Sequence, residues 1–210
     1  TVIQTWGMYL IKLFAPIQLS HDYYFNQIPI TNFGSAAVEI ALTVNLALLG
    51  LGIWLGIKRN PIGYGILFYF ISFSITSNLI VSIGTTMGER FVFVPSLGFL
   101  IAVVFAVKAL AEKLKIKDQR LAVAAVLIVA VTFTGRTILR NQVWKDNFTL
   151  FTNDAKISPN SAKVRTAAGG VMIERVDEKG VLANEKSKLL RDAIAHLNAA
   201  VKIYPEHGNA

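Results

Sequence analysis

The sequence of 210 residues contains no cysteine, so the chain can form neither a disulfide nor a thiolate metal site. Its three histidines are scattered and lack the spacing of metal ligands. No glycine-rich phosphate loop occurs, and no series of Ser, His and Asp typical of a hydrolase occurs either. These absences exclude a disulfide scaffold, and they leave no metal ligands to assign.

Charged residues are also scarce, at 16% of the chain, whereas hydrophobic residues make up 53%. An ordinary soluble domain has about 25% charged residues. The formal net charge is +8, and such an excess can indicate nucleic-acid binding. Here most of the excess lies in two short segments between apolar runs. This distribution is typical of a membrane protein and predicts no nucleic-acid partner.

The two ends of the sequence do not look like natural termini. The chain begins at Thr1 without a signal-peptide pattern, and it ends inside a pattern at "PEHGNA". We therefore expect an internal piece of a longer protein.

Four segments are long and apolar enough to cross a bilayer, which takes about 20 residues. They are residues 40–57, 62–83, 91–110 and 121–139. A helix satisfies its own backbone hydrogen bonds in lipid, so each segment is predicted to be helical. Residues 1–140 are thus predicted to form part of a transmembrane helical bundle, and the fold class is all-α.

The apolar stretch before these spans, residues 1–17, is interrupted by Gln4 and Lys12. We interpret it as an amphipathic helix on the outer surface, with Trp6 and Tyr9 at the level of the lipid headgroups. The end of a truncated span is the alternative.

The positions of Lys and Arg predict the orientation of the spans. Seven of the eleven basic residues in 1–140 lie between the first two spans or between the last two: Lys58, Arg59, Lys108, Lys113, Lys115, Lys117 and Arg120. The positive-inside rule places both segments in the cytoplasm. Residues 15–35, residues 84–90 and everything after the fourth span then face outside.

Three polar residues of the predicted second span, Ser74, Ser77 and Asn78, have the spacing of one helix face. Such a face either packs against a neighbouring helix or lines a polar cavity.

The residue pattern of the sequence changes after the fourth span. Residues 141–210 are predicted to begin a tetratricopeptide-repeat solenoid. Residues 162–205 have the small residues and the final proline of one repeat, although they are about a dozen residues longer than usual. Gly169 would lie at the helix crossing, with Leu197 and Val201 in the groove. Residues 144–159 resemble the second half of a degenerate preceding repeat. A plain helical hairpin is the alternative.

Glu89 and Arg90 stand side by side at the predicted outer entry of the third span. The free N–H groups of a helix start and the forked guanidinium of Arg90 suit a phosphate at the headgroup level. Glu89 could orient Arg90 or act as a base.

The other outer loop, "LSHDYYFNQIP", contains four polar or aromatic residues in a row: His21, Asp22, Tyr23 and Tyr24. Aromatic rings bind sugar faces, and a carboxylate binds hydroxyls. An interfacial aromatic belt, with Asp22 as a turn residue, explains the same residues without a ligand.

The order of three motifs resembles the transmembrane and tetratricopeptide-repeat O-mannosyltransferases, which have bacterial relatives. The motifs are "SHDYYFNQIP", "ERFVFVPSLGF" and "RNQVWKDNFTLFTNDAKISPNSAKV", and together they cover almost the whole chain. The resemblance implies a GT-C type glycosyltransferase of a bacterial inner membrane or the endoplasmic reticulum, with its repeats on the periplasmic or lumenal side.

Such an enzyme takes a sugar, here expected to be mannose, from a polyprenyl or dolichyl phosphate and transfers it to a protein Ser or Thr hydroxyl. The resemblance implies that Arg90 stabilises the departing lipid phosphate and that the repeats hold the acceptor or a partner protein. It implies no covalently bound cofactor and leaves metal dependence open. The family's catalytic acid lies in an earlier outer loop, so no catalytic residue is assigned here, and Asp22 and Glu89 are not taken as that acid.

Two other functions remain open at this point. One is a non-catalytic, membrane-anchored repeat scaffold that assembles envelope proteins. The other is an oligosaccharide ligase or polymerase, which also joins many spans to repeats.

Overall fold

The computed structural model describes residues 1–116 and 119–206, and within these residues the regular structure is helical throughout. The all-α prediction is therefore confirmed. The elements are α1 (Val2–Phe14), α2 (Ala36–Ile57), α3 (Pro61–Thr76), a 3-10 turn (Glu89–Val92), α4 (Phe93–Lys113), α5 (Gln119–Val143), α6 (Asn147–Ile157), α7 (Ala162–Val176) and α8 (Ala183–Ile203).

Three of the described helical segments are long and apolar enough to cross a membrane: Ala36–Ile57, Glu89–Lys113 and Val123–Val143. The second predicted span is wrong in extent, because α3 ends at Thr76 instead of near residue 83. Asn78 adopts a left-handed backbone conformation (φ 59°) that a helix cannot continue. Its side chain accepts from Ile83 N and donates to Thr85 O, and these bonds shape the turns that follow α3.

The predicted polar face of this span does not form, because Ser77 and Asn78 lie beyond the end of the helix. Ser74 and Ser77 do line a small cavity of about 190 Å³. Their hydroxyls, however, donate to carbonyls one turn earlier, those of Ile71 and Ser74. These bonds are local, and they do not join neighbouring helices.

Close backbone contact between α3 and α4 fixes their antiparallel arrangement. A Cβ atom on Gly65 would lie 2.6 Å from the backbone N of Ala102 and 2.7 Å from the carbonyl O of Gly98. Only a glycine allows this approach, as is common where membrane helices pack. At the other end of the pair, the Thr76 hydroxyl donates to Phe91 O at 3.1 Å. The end of α3 therefore lies beside the start of the Glu89–Lys113 segment.

Helix α1 packs against the bundle through Trp6 and Tyr9. Tyr9 is 2% exposed and belongs to a core cluster with Phe73. Its hydroxyl accepts from Gly88 N at 2.9 Å, and Trp6 Nε1 donates to Ser77 O at 3.0 Å. Both polar atoms thus find partners inside the protein. The position of α1 at the membrane surface stays a prediction.

The two ends of the bundle differ in charge. The basic turn at Lys58 and Arg59 joins α2 to α3, and α4 ends at Lys113 beside it, since α3 and α4 are antiparallel. The 3-10 turn at Glu89 lies at the opposite end. Lys117, which belongs to the predicted cytoplasmic set, is outside the described residues. The side of the membrane that each end faces stays a prediction.

Helices α7 and α8 form an antiparallel hairpin around the predicted small residue. A Cβ on Gly169 would lie 2.7 Å from Leu197 Cγ, and Ala193 and Ala200 are almost fully buried at the crossing. Val201 is 41% exposed, so its predicted place in the groove is wrong. The assignment of this hairpin as a tetratricopeptide repeat stays a prediction.

Helix α6 packs on α7 through a small apolar cluster. Ala155 of α6 meets Val164 and Ala168 of α7, and Phe151 covers them. This arrangement places α6 next to the hairpin in the order in which helices of a repeat array stack.

Candidate functional site

The segment that contains His21 to Tyr24 is clamped between the helical bundle and the C-terminal helices. The backbone N–H of His21 donates to Asp154 Oδ2 at 2.7 Å, and His21 Nδ1 lies 3.0 Å from the same oxygen. The carbonyl O of Tyr24 accepts from the Ser161 hydroxyl and, at 3.1 Å, from Lys163 N. The predicted outer loop therefore contacts the last turns of α6 and the start of α7.

Glu89 contacts several residues in one part of this region. Its Oε1 accepts from the Tyr23 hydroxyl, lies 3.3 Å from Lys12 Nζ and lies 3.4 Å from Ser20 N. Burial raises the pKa of Tyr23, and the Glu89 carboxylate adds to this effect, so the phenol stays a hydrogen-bond donor. Glu89 is thus neutralised by Lys12, a residue that sequence reasoning treated only as an interruption of an apolar helix.

Arg90 points in a different direction from Glu89. Its Nη1 donates to His21 O at 3.0 Å, and the guanidinium lies 4.7 Å above the centre of the Phe91 ring. The side chain is exposed, and no ion pair joins it to a carboxylate in the part of the chain that the structure describes. Arg90 therefore presents an oriented positive charge at the start of the Glu89–Lys113 segment.

Asp22 is buried and already paired. It is 1% exposed, its Oδ2 lies 2.6 Å from Lys163 Nζ, and its Oδ1 accepts from Tyr24 N at 2.7 Å. The second bond is that of a turn-forming aspartate. Tyr24 is half-buried and contributes its carbonyl to the clamp, while its ring packs against Phe25.

Asp154 is the residue that sequence reasoning missed. It is fully buried, and Arg140 donates to both of its oxygens, at 2.8 and 3.1 Å, beside the two contacts from His21. Burial raises the pKa of Asp154, but the hydrogen bonds from His21 and Arg140 outweigh it and hold the pKa well below its usual range. The available signal was an acid four residues after Leu150, on the apolar face of α6.

A cavity of about 470 Å³ adjoins this clamp. It lies between the 16–19 segment, the last turns of α5 and helix α6, and Arg136 and Arg140 are among its lining residues. Arg136 donates from Nε to Pro16 O at 3.2 Å and from Nη2 to Ile17 O at 3.0 Å. Within residues 1–116 and 119–206, no group of three or more His, Asp or Glu side chains is placed to hold a metal ion.

The structure brings the six predicted site residues into one region but gives them different roles. Glu89 contacts Tyr23 directly, and Arg90 contacts the backbone of His21. Asp22 instead faces Lys163, which lies 141 residues away in sequence. Both predicted carboxylates therefore have cationic partners, whereas the Arg90 guanidinium can accept an anionic ligand.

Fold and site together define a helical membrane protein in which a polar loop and a C-terminal helical region meet at one end of the bundle. The chain is 27% identical over 204 residues to protein O-mannosyl-transferase TMTC1 of Mus musculus, covering 94% of this chain and 20% of that protein. It is 26% identical over 204 residues to TMTC1 of Homo sapiens, covering 94% and 22%. Human TMTC4 is 28% identical over 127 residues, covering 60% and 17%.

The homologues of this chain are thus the transmembrane and tetratricopeptide-repeat O-mannosyl-transferases, and the predicted resemblance is confirmed. The chain spans about a fifth of the length of the curated TMTC1 relatives that it matches. No family model matches the chain. No solved structure matches it significantly.

Proposed function

We propose that the chain is part of a membrane glycosyltransferase that transfers a sugar, with mannose expected, to Ser or Thr hydroxyls of proteins. The donor is a polyprenyl or dolichyl phosphate sugar in a bacterial inner membrane or the endoplasmic reticulum. The names of the relatives support the class of reaction. The observation that carries the role of this chain is the exposed Arg90 guanidinium, which no carboxylate among the described residues neutralises.

Arg90 is suited to hold the phosphate of the lipid donor. Its forked guanidinium can donate to two phosphate oxygens, and the bond to His21 O together with the Phe91 ring limits its orientation. When the bond from the sugar to the phosphate breaks, negative charge develops on the phosphate oxygens. A fixed positive charge at that place lowers the free energy of the transition state more than that of the bound donor.

The general base of the reaction is proposed to come from outside this sequence. A base must have a free carboxylate within hydrogen-bond distance of the acceptor hydroxyl. Asp22 pairs with Lys163, and Glu89 pairs with Lys12 and accepts from Tyr23. Neither side chain meets this requirement without losing contacts that hold the loop.

The C-terminal helices are proposed to hold the acceptor polypeptide or a partner protein, on the periplasmic or lumenal side. A groove of about 700 Å³ between α6, α7 and α8 supports this role. Charged side chains of both signs line it, including Arg165, Lys188 and Asp192. Such a surface offers hydrogen bonds to an extended peptide without requiring one particular side chain.

Substitution of Arg90 in the full-length protein tests the proposal. Arg90→Ala is expected to abolish transfer from a polyprenyl phosphate sugar to an acceptor peptide while the protein is still produced and inserted. Arg90→Lys keeps the charge without the fork and is expected to retain part of the activity. Arg59→Ala removes an equal charge at the opposite end of the bundle and serves as the control. Wild-type transfer by Arg90→Ala would remove the phosphate role.

One observation favours a second function, that of a non-catalytic membrane-anchored repeat scaffold. Both candidate carboxylates of this chain serve internal contacts, as they would in a purely structural loop. The sequence that precedes this chain separates the two functions: a first outer loop without an acidic pair would favour the scaffold. A full-length protein that binds envelope proteins but transfers no sugar would also favour it.

A further inference from the structure

The cavity beside the clamp combines apolar walls with two arginines. Most of its lining is hydrocarbon, from residues such as Ile17, Leu19, Phe133 and Leu139. Arg136 and Arg140 lie four residues apart on α5 and therefore share one helix face. Cavities of this size, with an apolar body and a few placed polar groups, are typical of small-molecule and lipid sites.

The two arginines differ in whether a carboxylate neutralises their charge. Asp154 binds both terminal nitrogens of Arg140, so that charge is compensated. The contacts of Arg136 are the carbonyl oxygens of Pro16 and Ile17, which carry no formal charge. Among the described residues no carboxylate pairs with Arg136. Arg136 is thus a fixed cation with N–H groups in excess of the two that donate to these carbonyls.

The uncompensated charge of Arg136 lies in an unfavourable position. It lies inside the apolar segment Val123–Val143, which is long enough to cross a membrane. A charge in such a segment costs free energy unless it reaches water or meets a counter-charge. Two carbonyls hold the Arg136 guanidinium against the 16–19 segment, at the wall of the cavity, so a ligand in the cavity can supply the counter-charge.

We propose that this cavity binds the phosphate group of a membrane lipid, with Arg136 as its main charged contact. The phosphate oxygens would accept from the guanidinium, and the hydrocarbon would lie along Phe133 and the exposed apolar surface of α5. Two sources share this chemistry, a bilayer phospholipid and a polyprenyl phosphate. The inference does not rest on the proposed transfer reaction, because Arg90 is not among the residues that line the cavity.

Native mass spectrometry of the delipidated full-length protein tests the site directly. The protein is titrated separately with phosphatidylglycerol, farnesyl phosphate and diacylglycerol, the last of which has no phosphate. Arg136→Ala is expected to weaken binding of at least one phosphate lipid about tenfold, because one charge-assisted contact is worth about this factor. Lys108→Ala, a change of equal charge on α4, is expected to bind as the wild type does.

The pattern of losses identifies the source. A loss confined to phosphatidylglycerol indicates a bilayer phospholipid, a loss confined to farnesyl phosphate indicates a polyprenyl phosphate, and equal losses indicate recognition of the shared phosphate ester. Unchanged binding of both phosphate lipids by Arg136→Ala overturns the proposal. An equal loss of diacylglycerol binding also overturns it, because that result would reflect cavity shape alone.

Arg136 also donates to the carbonyls of Pro16 and Ile17, so its loss could displace that segment. A second variant separates this effect from the loss of charge. Arg136→Gln retains an amide donor for these carbonyls and removes the charge. It is expected to lose phosphate-lipid binding to the same degree as Arg136→Ala. Full binding by a folded Arg136→Gln protein would contradict a charge-based site.

Discussion

Arg140 and Asp154 form a two-point ion pair, with N–O distances of 2.8 and 3.1 Å, that joins the last apolar helix to the first helix of the C-terminal region. The same carboxylate receives the backbone N–H and lies beside the ring nitrogen of His21. One buried acid thus fixes three parts of the chain relative to each other: α5, α6 and the loop that contains the candidate site.

Asp154→Asn is therefore expected to destabilise the protein by about 3 kcal/mol, because it leaves Arg140 partly buried without a counter-charge. Thermal unfolding of the purified full-length protein, followed through the loss of helical structure in the C-terminal region, measures this loss of stability. Asp177→Asn removes an exposed carboxylate in the α7–α8 loop and is expected to leave the melting temperature unchanged. Equal melting temperatures for Asp154→Asn and wild type would show that the pair does not hold these parts together.

The pH dependence of stability follows from the same residue. The pKa of Asp154 in the folded protein lies below its ordinary value of 3.8, so its contribution to stability is complete above that value and is lost as the pH falls below it. Wild type is expected to lose stability between about pH 4 and pH 2 more steeply than Asp154→Asn, which has no proton to gain at this position. Melting temperatures across this range measure both slopes. Parallel slopes would show that Asp154 titrates normally.

Local patterns in the sequence predicted the elements that depend on local physics. Continuous apolar runs predicted the helical spans, and small residues predicted the close crossing of Gly169 with α8. The end of α3 could not be read from hydropathy, because residues 79–83 are as apolar as the helix before them. Asn78 stops the helix there through its backbone conformation and its bonds to Ile83 and Thr85.

The charge balance of the candidate site depends on contacts between distant parts of the chain. The sequence shows Asp22 and Glu89 as free acids next to predicted spans. Their partners Lys163 and Lys12 lie 141 and 77 residues away, so only the fold reveals that both acids are neutralised. The same holds for Asp154, whose meeting with His21 spans 133 residues.

The contact between Tyr23 and Glu89 offers a test of the loop's attachment to the bundle. A hydrogen bond to a charged acceptor contributes about 1.5 kcal/mol or more, and both groups are largely buried here. Tyr23→Phe and Glu89→Gln are each expected to lower stability, and the double variant is expected to lose less than the sum of the two. A double-mutant cycle from thermal or chemical unfolding measures this coupling. Strict additivity would contradict a direct bond.

Two adjacent glycines of α7 provide a matched test of the helical hairpin. Gly169→Ala would place a methyl group 2.7 Å from Leu197 Cγ and force α7 and α8 apart, at a cost of about 1–3 kcal/mol. Gly170→Ala meets nothing within 4 Å, so the better helix propensity of alanine is expected to stabilise α7 by about 0.5–1 kcal/mol. Hydrogen exchange of the α7 and α8 amides in the full-length protein is therefore expected to become faster in Gly169→Ala and slower in Gly170→Ala.

The double variant Gly169→Ala/Leu197→Ala checks the cause of this difference. Shortening Leu197 removes the atoms that the new methyl group would meet, so the double variant is expected to lose less stability than the two single changes together. Slower exchange in Gly169→Ala alone, as in Gly170→Ala, would mean that α7 and α8 do not cross at this residue. The small-residue crossing is the feature that the sequence shares with a tetratricopeptide repeat, so that result would also remove the main support for a repeat in this region.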